Sequence, residues 1–594
     1  MKRYYILYGP PTFDFMDQFG QISRPDELLS VLCAKDARHI DEGNYLEYLR
    51  FDQNKQRKGM AEALAMECYT LTYVANMLAK CGIRDRIILA DGKRRTLERI
   101  IADAGAKPAA VFITAMSSNF PSAVAAALAL NHGKIPVVIG GIHVSTIPED
   151  VSIFLRPYVP YPHLIAQAIG PADSHSTSAI LNDLETGRLA DTYRGQTSLE
   201  NGSWGHANVV PMPALQLENL RKIPLIGGLL VRKIRINTAA PYLGCPFNCR
   251  FCSISTLPKS QRDFSVRDPL DFINELKEFQ KEGLSAHNRF FLLLPDNLLL
   301  GGKKLEKMLD LMIEQGLKIN FAAQISIDVA DHPDLLRKLR RAGATHFFIG
   351  LESLDLRNLE YIGKHIVREI KKENISVADF YRAKLKKIHR YGISVHGAFI
   401  FGMPHDYFNS LHDHTGIEVA DFCIENHIGL QPSVLTDLPG SINFRESQMD
   451  GGYLYGKQGS MEYLVGLCVA DLGETNRIPF DSLHQSPLLI CYLAYEAIHR
   501  VGARRHALAN AAVAMGRAML HPSLNGTASL KGWIEDGLWA AASQLAVGLY
   551  KDHAELIVYS HKGLKGIAER LYHLEKNASI KQLLGPWAAQ FFSG

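Results

Sequence analysis

The sequence predicts an α/β protein in three parts: an N-terminal Rossmann-like, doubly wound domain, a (β/α)6 partial TIM barrel and a mostly helical C-terminal domain. Short apolar runs alternate with helix-period segments up to about residue 200, and the alternation repeats six times between about 230 and 440. From about residue 455 the strand-like runs stop. A chain of 594 residues also exceeds what one core organises. The expected divisions are 1–200, a linker at 201–230, a barrel at 231–445 and a helical part at 446–594.

In the first part YYILYG (4–9), RIILA (86–90), AAVFITAM (109–116) and IPVVIGG (135–141) read as buried parallel strands, with helical spacing at 58–81 and 121–132. Such a sheet binds ligands at the carboxyl ends of its strands. The stretch 196–215 is polar, carries Gly and Pro, and has no clear period, as a linker does. The second part offers KIRINTA (233–239), RFFLLL (289–294), INFAAQISI (319–327), THFFIGLES (345–353), ISVHGAFIFG (393–402) and IGLQPSVL (428–435) as strands. Helical segments at 268–281, 302–315, 332–342 and 377–391 separate them, so chemistry is expected at the carboxyl-end loops of a parallel sheet curving toward a barrel. In the third part PLLICYLAYEAIHRVG and GWIEDGLWAAASQLAVGLYKDH set apolar faces against charged ones, and read as a cap that closes the barrel.

Composition narrows the class. Hydrophobic residues at 47% and charged ones at 21% are ordinary for a globular protein, and a net charge of +4 is too dilute for a nucleic-acid footprint. The N-terminal apolar run ends at Gly9-Pro10, too early for a signal-peptide core, and no run reaches the roughly 18 apolar residues of a membrane span. A cytoplasmic protein without a transmembrane segment is expected. Of nine cysteines, Cys33, Cys68, Cys81, Cys423, Cys468 and Cys491 read as small buried hydrophobes.

The other three stand in LGCPFNCRFCSIST as Cys245, Cys249 and Cys252, directly after the first barrel strand. Structural zinc needs four ligands, and beyond Cys252 the next cysteine is Cys423 and the next histidine His287. A 4Fe-4S cubane on three thiolates leaves one iron open to chelation by a substrate or cofactor. Gly244 permits the turn into this loop, and Phe251 can set a ring against a cofactor. LLLGGKKLEK (298–307) lacks the spacing and hydroxyl of a phosphate loop and reads as a turn before a helix.

C-x3-C-x2-C with an aromatic before the third cysteine, opening a six-fold βα repeat, resembles the radical S-adenosylmethionine enzymes. GCPFNCRFCSI, FFLLLPDN, FAAQISIDVADHPDLLRKLRRAGATHFFIGLES and GISVHGAFIFGMPHD are similar in order and spacing to the subgroup with an N-terminal cobalamin-binding domain, whose last strands VFITAMSSNF and VVIGGIHVSTIPED resemble. The likeness spans about residues 85 to 440. It implies that Cys245, Cys249 and Cys252 hold a 4Fe-4S cluster, and that S-adenosylmethionine chelates the open iron and is cleaved to a 5'-deoxyadenosyl radical. Phe251 would lie against the adenine, while Asp296, Gln324, Glu352 and Ser353, at the ends of strands two to four, would hold the ribose and amino-acid part. Gln324 and Glu352 can equally be satisfied polar residues of a barrel interior. An electron donor such as flavodoxin or ferredoxin is implied as a partner.

The N-terminal part departs from the subgroup's pattern. It has no Asp-x-His-x-x-Gly between its second and third strands; the near match DSHSTS (173–178) follows the strands, and the acidic turn of the family reads IGPADS (169–174). Either the domain cradles cobalamin without a histidine ligand, through backbone at Ser117, Ser118, Asn119, Gly140, Gly141 and His143, or it is a scaffold that binds nothing. His143 could equally cap a helix, and the glycine pair could simply end a strand. Two enzymatic outcomes follow: cobalamin-dependent methyl transfer to an unactivated carbon, or a radical cyclase, oxidase or rearrangement enzyme without a methyl-carrying cobalamin. A non-catalytic iron-sulfur sensor is disfavoured, because a sensor needs no polar groups at successive strand ends. A small molecule or a peptide fits as substrate, and no nucleic acid is implied.

Overall fold

A computed structural model describes residues 3–52, 69–92, 96–196, 209–210, 237–256, 265–281, 290–317, 319–471, 474–480, 486–552 and 561–592. These form two compact units. The first takes the described residues of 1–232, 252–267 and 437–472, and the second those of 233–251, 268–436 and 473–594.

The first unit is built on a seven-stranded sheet of β1 (Tyr4–Gly9), β2 (Arg86–Asp91), β3 (Ala110–Thr114), β4 (Val137–Gly140), β5 (Ile165–Ile169), β6 (Thr192–Arg194) and β7 (Val209–Val210). Its order is β6-β5-β4-β3-β1-β2-β7 with every pair parallel. The chain leaves β1 toward β2 on one side and returns as β3 on the other, so the topological switch point lies between β1 and β3. Side chains alternate between two cores, with Ile6, Tyr8, Val111 and Ile139 in one and Tyr5, Leu7, Phe112 and Val138 in the other.

All four expected strands are present; β5, β6 and β7 are additional. The run IAQAI is short and broken by Gln167, whose amide donates to Thr192 Oγ1 on β6 at 2.9 Å. The amide nitrogen is thereby satisfied within the sheet. Val209–Val210 fall inside the expected linker but form β7, and the rest of 201–230 lies outside the described residues. Of the two expected helices, α1 (Tyr69–Lys80) covers the end of 58–81, whose residues 58–68 lie outside the described residues, and α2 (Phe120–His132) covers the other. Residues 437–472, which the sequence divides between barrel and helical part, bury Tyr453, Tyr455, Tyr463, Leu464 and Val469 in the same core as Ile6 and Val124.

The second unit holds six parallel strands in sequential order: β8 (Asn237–Ala239), β9 (Phe290–Leu293), β10 (Asn320–Gln324), β11 (Ala344–Glu352), β12 (Ser394–Phe401) and β13 (Gly429–Val434). Each matches an expected run, and residues 233–236 of the first lie outside the described residues. Pro432 is tolerated because β13 is an edge strand. The intervening α3 (Pro269–Lys281), α4 (Gly302–Glu314), α5 (Pro333–Ala342) and α6 (Val377–His389) cover one face, where Tyr381 donates to the Leu351 carbonyl at 2.6 Å. Alternation puts His346 and Phe348 of β11 on one face together.

The C-terminal helices α7 (Pro487–Val501), α8 (Arg504–Leu520) and α9 (Leu530–Asp552) pack on this unit. Arg340, at the end of α5, donates to Asp536 at 2.9 Å, to the Ala344 carbonyl at 2.9 Å and to the Ala518 carbonyl at 3.1 Å. Gln544 donates to the Val395 carbonyl at 3.1 Å. The α8–α9 hairpin therefore meets the sheet at the amino ends of β11 and β12. That hairpin lies at the end of the sheet opposite the carboxyl-end loops, while Ile490 of α7 packs against Gly402 just past the carboxyl end of β12.

Candidate functional site

Beyond β8 the chain turns at Gly244, whose φ of +100° suits glycine, and enters the cysteine loop. The Gly244 amide donates to Asp296 Oδ2 at 2.6 Å, tying the loop to the end of β9. Burial pushes the Asp296 carboxyl above its ordinary range and the Gly244 amide pulls it back. One carboxylate oxygen expected to meet S-adenosylmethionine thus orients the cysteine loop.

The loop after β11 holds the cysteine loop from another side. The Arg250 guanidinium lies 5.2 Å over the Tyr361 ring, Arg250 N donates to the Ile362 carbonyl at 3.4 Å, and Phe247 stacks on His365 at 4.7 Å. His365 in turn bonds Asp328. Between these contacts Lys364 donates to Glu352 Oε1 at 3.0 Å and to the Gly350 carbonyl at 2.9 Å. Burial works to lower the Lys364 ammonium, but the charge and hydrogen bond of Glu352, with Cys249 and Asp328, together outweigh it and the net shift is upward. Glu352 sits at φ +68° in a β-bulge, and a Cβ on Gly350 would lie 2.2 Å from its Oε1. Only glycine leaves room for the carboxylate there.

Cys249 lies beside this ion pair. Burial raises its thiol, Lys364 opposes the rise, and Glu352 and Cys245 add to it. Without a metal the neutral thiol is favoured, so metal binding must displace a proton. Cys245 and Cys252 are half-buried and, like Cys249, form no disulfide. Among the described residues no three His, Cys, Asp or Glu side chains are placed to hold a metal ion. Three thiols spaced as C-x3-C-x2-C are the donor chemistry of a cubane, which takes each thiolate on a different iron.

The remaining expected residues divide. Gln324 is exposed at the end of β10, open to a ligand, and Phe251 is half-buried. Ser353 is buried, its Oγ accepting from Asp355 N at 3.1 Å and Asn358 Nδ2 at 3.2 Å. It shapes the turn after β11. Asn358 also donates to Asp406 Oδ1 at 3.0 Å, while Asp406 Oδ2 accepts from the amides of Gly402 and Met403 at 2.7 and 3.1 Å. Burial drives the Asp406 carboxyl up to about 7 against those donors. Lys364, Asn358 and Asp406 were not anticipated from the sequence.

In the first unit the six expected residues cluster at the switch point. Asn119 closes it, donating to the Pro10 carbonyl at 2.9 Å and accepting from Met116 N at 2.8 Å. Ser118 is buried and Ser117 half-buried. His143 has no exposed surface; its Nδ1 lies 3.2 Å from Ser117 Oγ and its Nε2 3.1 Å from Asp150 Oδ2, which also accepts from Tyr463 at 2.8 Å. Both ring nitrogens are engaged inside the protein. Gly141 has φ +102°, and a Cβ on it would lie 2.5 Å from the Ala115 carbonyl oxygen, so backbone approach between strand ends requires this glycine. What faces outward is Met116, half of Ser117 and the backbone around Gly140 and Gly141. Such a surface fits a flat ligand laid on the strand ends, with no imidazole offered to it.

Residues 240–415 match the model of the Radical SAM superfamily. Bacteriochlorophyllide d C-8(2)-methyltransferase of Chlorobaculum tepidum is 26% identical over 320 residues, which cover 53% of this chain and 63% of that protein. Hopanoid C-2 methylase of Rhodopseudomonas palustris is 23% identical over 276 residues, covering 46% of this chain and 45% of that one. The chain thus spans less than two thirds of these curated relatives. Among solved structures, the cobalamin-dependent S-adenosylmethionine radical enzyme OxsB, with aqua-cobalamin and S-adenosylmethionine bound, aligns over 100% of this chain and 84% of its own with a TM-score of 0.52 and 12% identity. At that identity the likeness speaks for the fold.

Proposed function

We propose, from a chain that carries a radical SAM domain over residues 240–415, that this protein is a cobalamin-dependent radical S-adenosylmethionine methyltransferase acting on an unactivated carbon. The observation that carries the reading is the cysteine loop that follows β8, which offers three thiols and, among the described residues, no fourth ligand. Cys245, Cys249 and Cys252 would hold the cluster, which when bound supplies the electron that cleaves S-adenosylmethionine. Asp296 keeps the loop in place through Gly244, and the Glu352–Lys364 pair sets the charge beside Cys249. Gln324 is free to meet the nucleoside or amino-acid part.

Cobalamin would lie over Met116, Ser117 and the Gly140–Gly141 backbone, and supplies a methyl carrier. His143 supports this floor from below by holding Ser117. The curated relatives are named as methylating a bacteriochlorophyllide and a hopanoid. A small-molecule carbon acceptor and a low-potential electron donor such as flavodoxin or ferredoxin complete the proposal.

The test is anaerobic reconstitution, extraction of bound corrinoid, and incubation with reductant and S-adenosylmethionine. Corrinoid together with S-adenosylhomocysteine and 5'-deoxyadenosine is the expected outcome, with both products lost in Cys249→Ala. Formation of 5'-deoxyadenosine without corrinoid or S-adenosylhomocysteine contradicts methyl transfer. Neither product, with Cys249→Ala indistinguishable from the unaltered chain, contradicts the enzyme.

A further inference from the structure

Five of the large apolar side chains exposed among the described residues gather on one helical hairpin: Leu508 and Leu520 of α8, and Leu530, Ile534 and Leu538 of α9. Leu520 and Leu530 are 78% and 72% exposed. On α9 the three follow one another at i, i+4 and i+8, so they form a single stripe. A Cβ on Gly537 would lie 3.0 Å from Met519 Cγ and 3.2 Å from Met515 Cγ, which brings the two helices together along Met515, Met519 and Gly537. By helical phase, Leu508 and exposed Ala512 and Gly516 of α8 flank that seam on its outer side, as the stripe does on α9. Ala514, Ala518 and Ala540 pack beneath. The hairpin thus has a filled inner side and an apolar outer side.

Charge is one-signed from α8 to the first turn of α9. The whole chain has 61 acidic residues in 594, yet none occurs between Glu496 and Glu535. Within that interval stand Arg500, Arg504, Arg505, Arg517 and Lys531. Arg505 and Lys531 are exposed beside the apolar face, the latter 3.9 Å from Glu535. No described helix is long and apolar enough to cross a membrane. An apolar helical face whose flanking charge is mainly basic, with Glu535 as the one acid beside Lys531, has the chemistry of a surface that rests in the interface of an anionic bilayer. A second copy would suit it less, because an isologous contact sets the same cations against each other.

We infer that the outer face of the α8–α9 hairpin docks the protein on an anionic lipid bilayer. The apolar stripe enters the headgroup boundary, while Arg505 and Lys531 meet lipid phosphates. This proposal stands apart from the reaction assigned above.

The test is co-sedimentation of the full chain with phosphatidylcholine vesicles with and without phosphatidylglycerol. Binding is expected only with phosphatidylglycerol, weakening as salt rises. Leu530→Asn/Leu538→Asn, and separately Arg505→Gln/Lys531→Gln, should each weaken it by about tenfold with unchanged thermal unfolding, since all four side chains are exposed. The inference is overturned if the unaltered chain stays in the supernatant with anionic vesicles, if neutral vesicles bind it equally, or if Leu530→Asn/Leu538→Asn binds as the unaltered chain does. It is also overturned if that variant instead splits a dimer in sedimentation velocity without any vesicle binding, which would make the face a contact between copies.

Discussion

Asp296 is joined to the cluster loop by one short hydrogen bond, and that bond decides what its replacement does. Asp296→Ala releases Gly244, so iron and sulfide retained per chain after reconstitution should fall roughly twofold or more, whereas Asp296→Asn keeps an acceptor and should retain them. Equal iron content in the two variants would contradict a positioning role. Asp406 has a different signature. Its folded carboxyl titrates at about 7 and an unfolded one at about 4, so the native state binds more protons between those values and stability falls as pH rises through them. Urea midpoints measured at about pH 5 and pH 7.5 should drop with pH, and Asp406→Asn should flatten that drop. The three cysteines proposed to hold the cluster stand out in the sequence by ligand type and tight spacing. Lys364 does not, because its partnership with Glu352 depends on a loop folding back across the strand end, and no period in the chain announces that.

Among elements, the six barrel strands were legible as apolar runs separated by helical spacing, and each proved to pair with its sequential neighbour. Strands β5 to β7 were not, since IAQAI carries a glutamine and the other two have three and two residues. The helical third part was read correctly as helix, but an amphipathic pattern tells only that a face is buried, and not against which end of a sheet. That placement depends on Arg340 and Asp536, a buried ion pair formed between α5 and α9. Asp536 also accepts from the Ser523 amide at 2.7 Å and hydroxyl at 2.9 Å. Asp536→Ala leaves a buried guanidinium without its counter-charge, so a loss of about 3–5 kcal/mol in urea unfolding is expected. A loss under about 1 kcal/mol would show that the pair does not anchor the hairpin.

For the whole molecule, the sequence foretold two parallel sheets of different topology, and the structure supplies what each offers a ligand. The first has a switch point floored by Ser117, with His143 locked beneath it; the second has a cysteine loop pinned by Asp296 and by the loop carrying Lys364. The missing histidine motif was legible, but the burial of His143 was not, because it rests on Asp150 and on Tyr463 from far along the chain. The central claim is that three thiolates leave one iron for S-adenosylmethionine to occupy. Electron paramagnetic resonance of the reduced, reconstituted protein with S-adenosylmethionine labelled with 15N in its amino group and 17O in its carboxylate tests it most directly. Hyperfine coupling from both labels to the cluster is the predicted result; a cluster spectrum unchanged by S-adenosylmethionine and free of coupling to either label would contradict it.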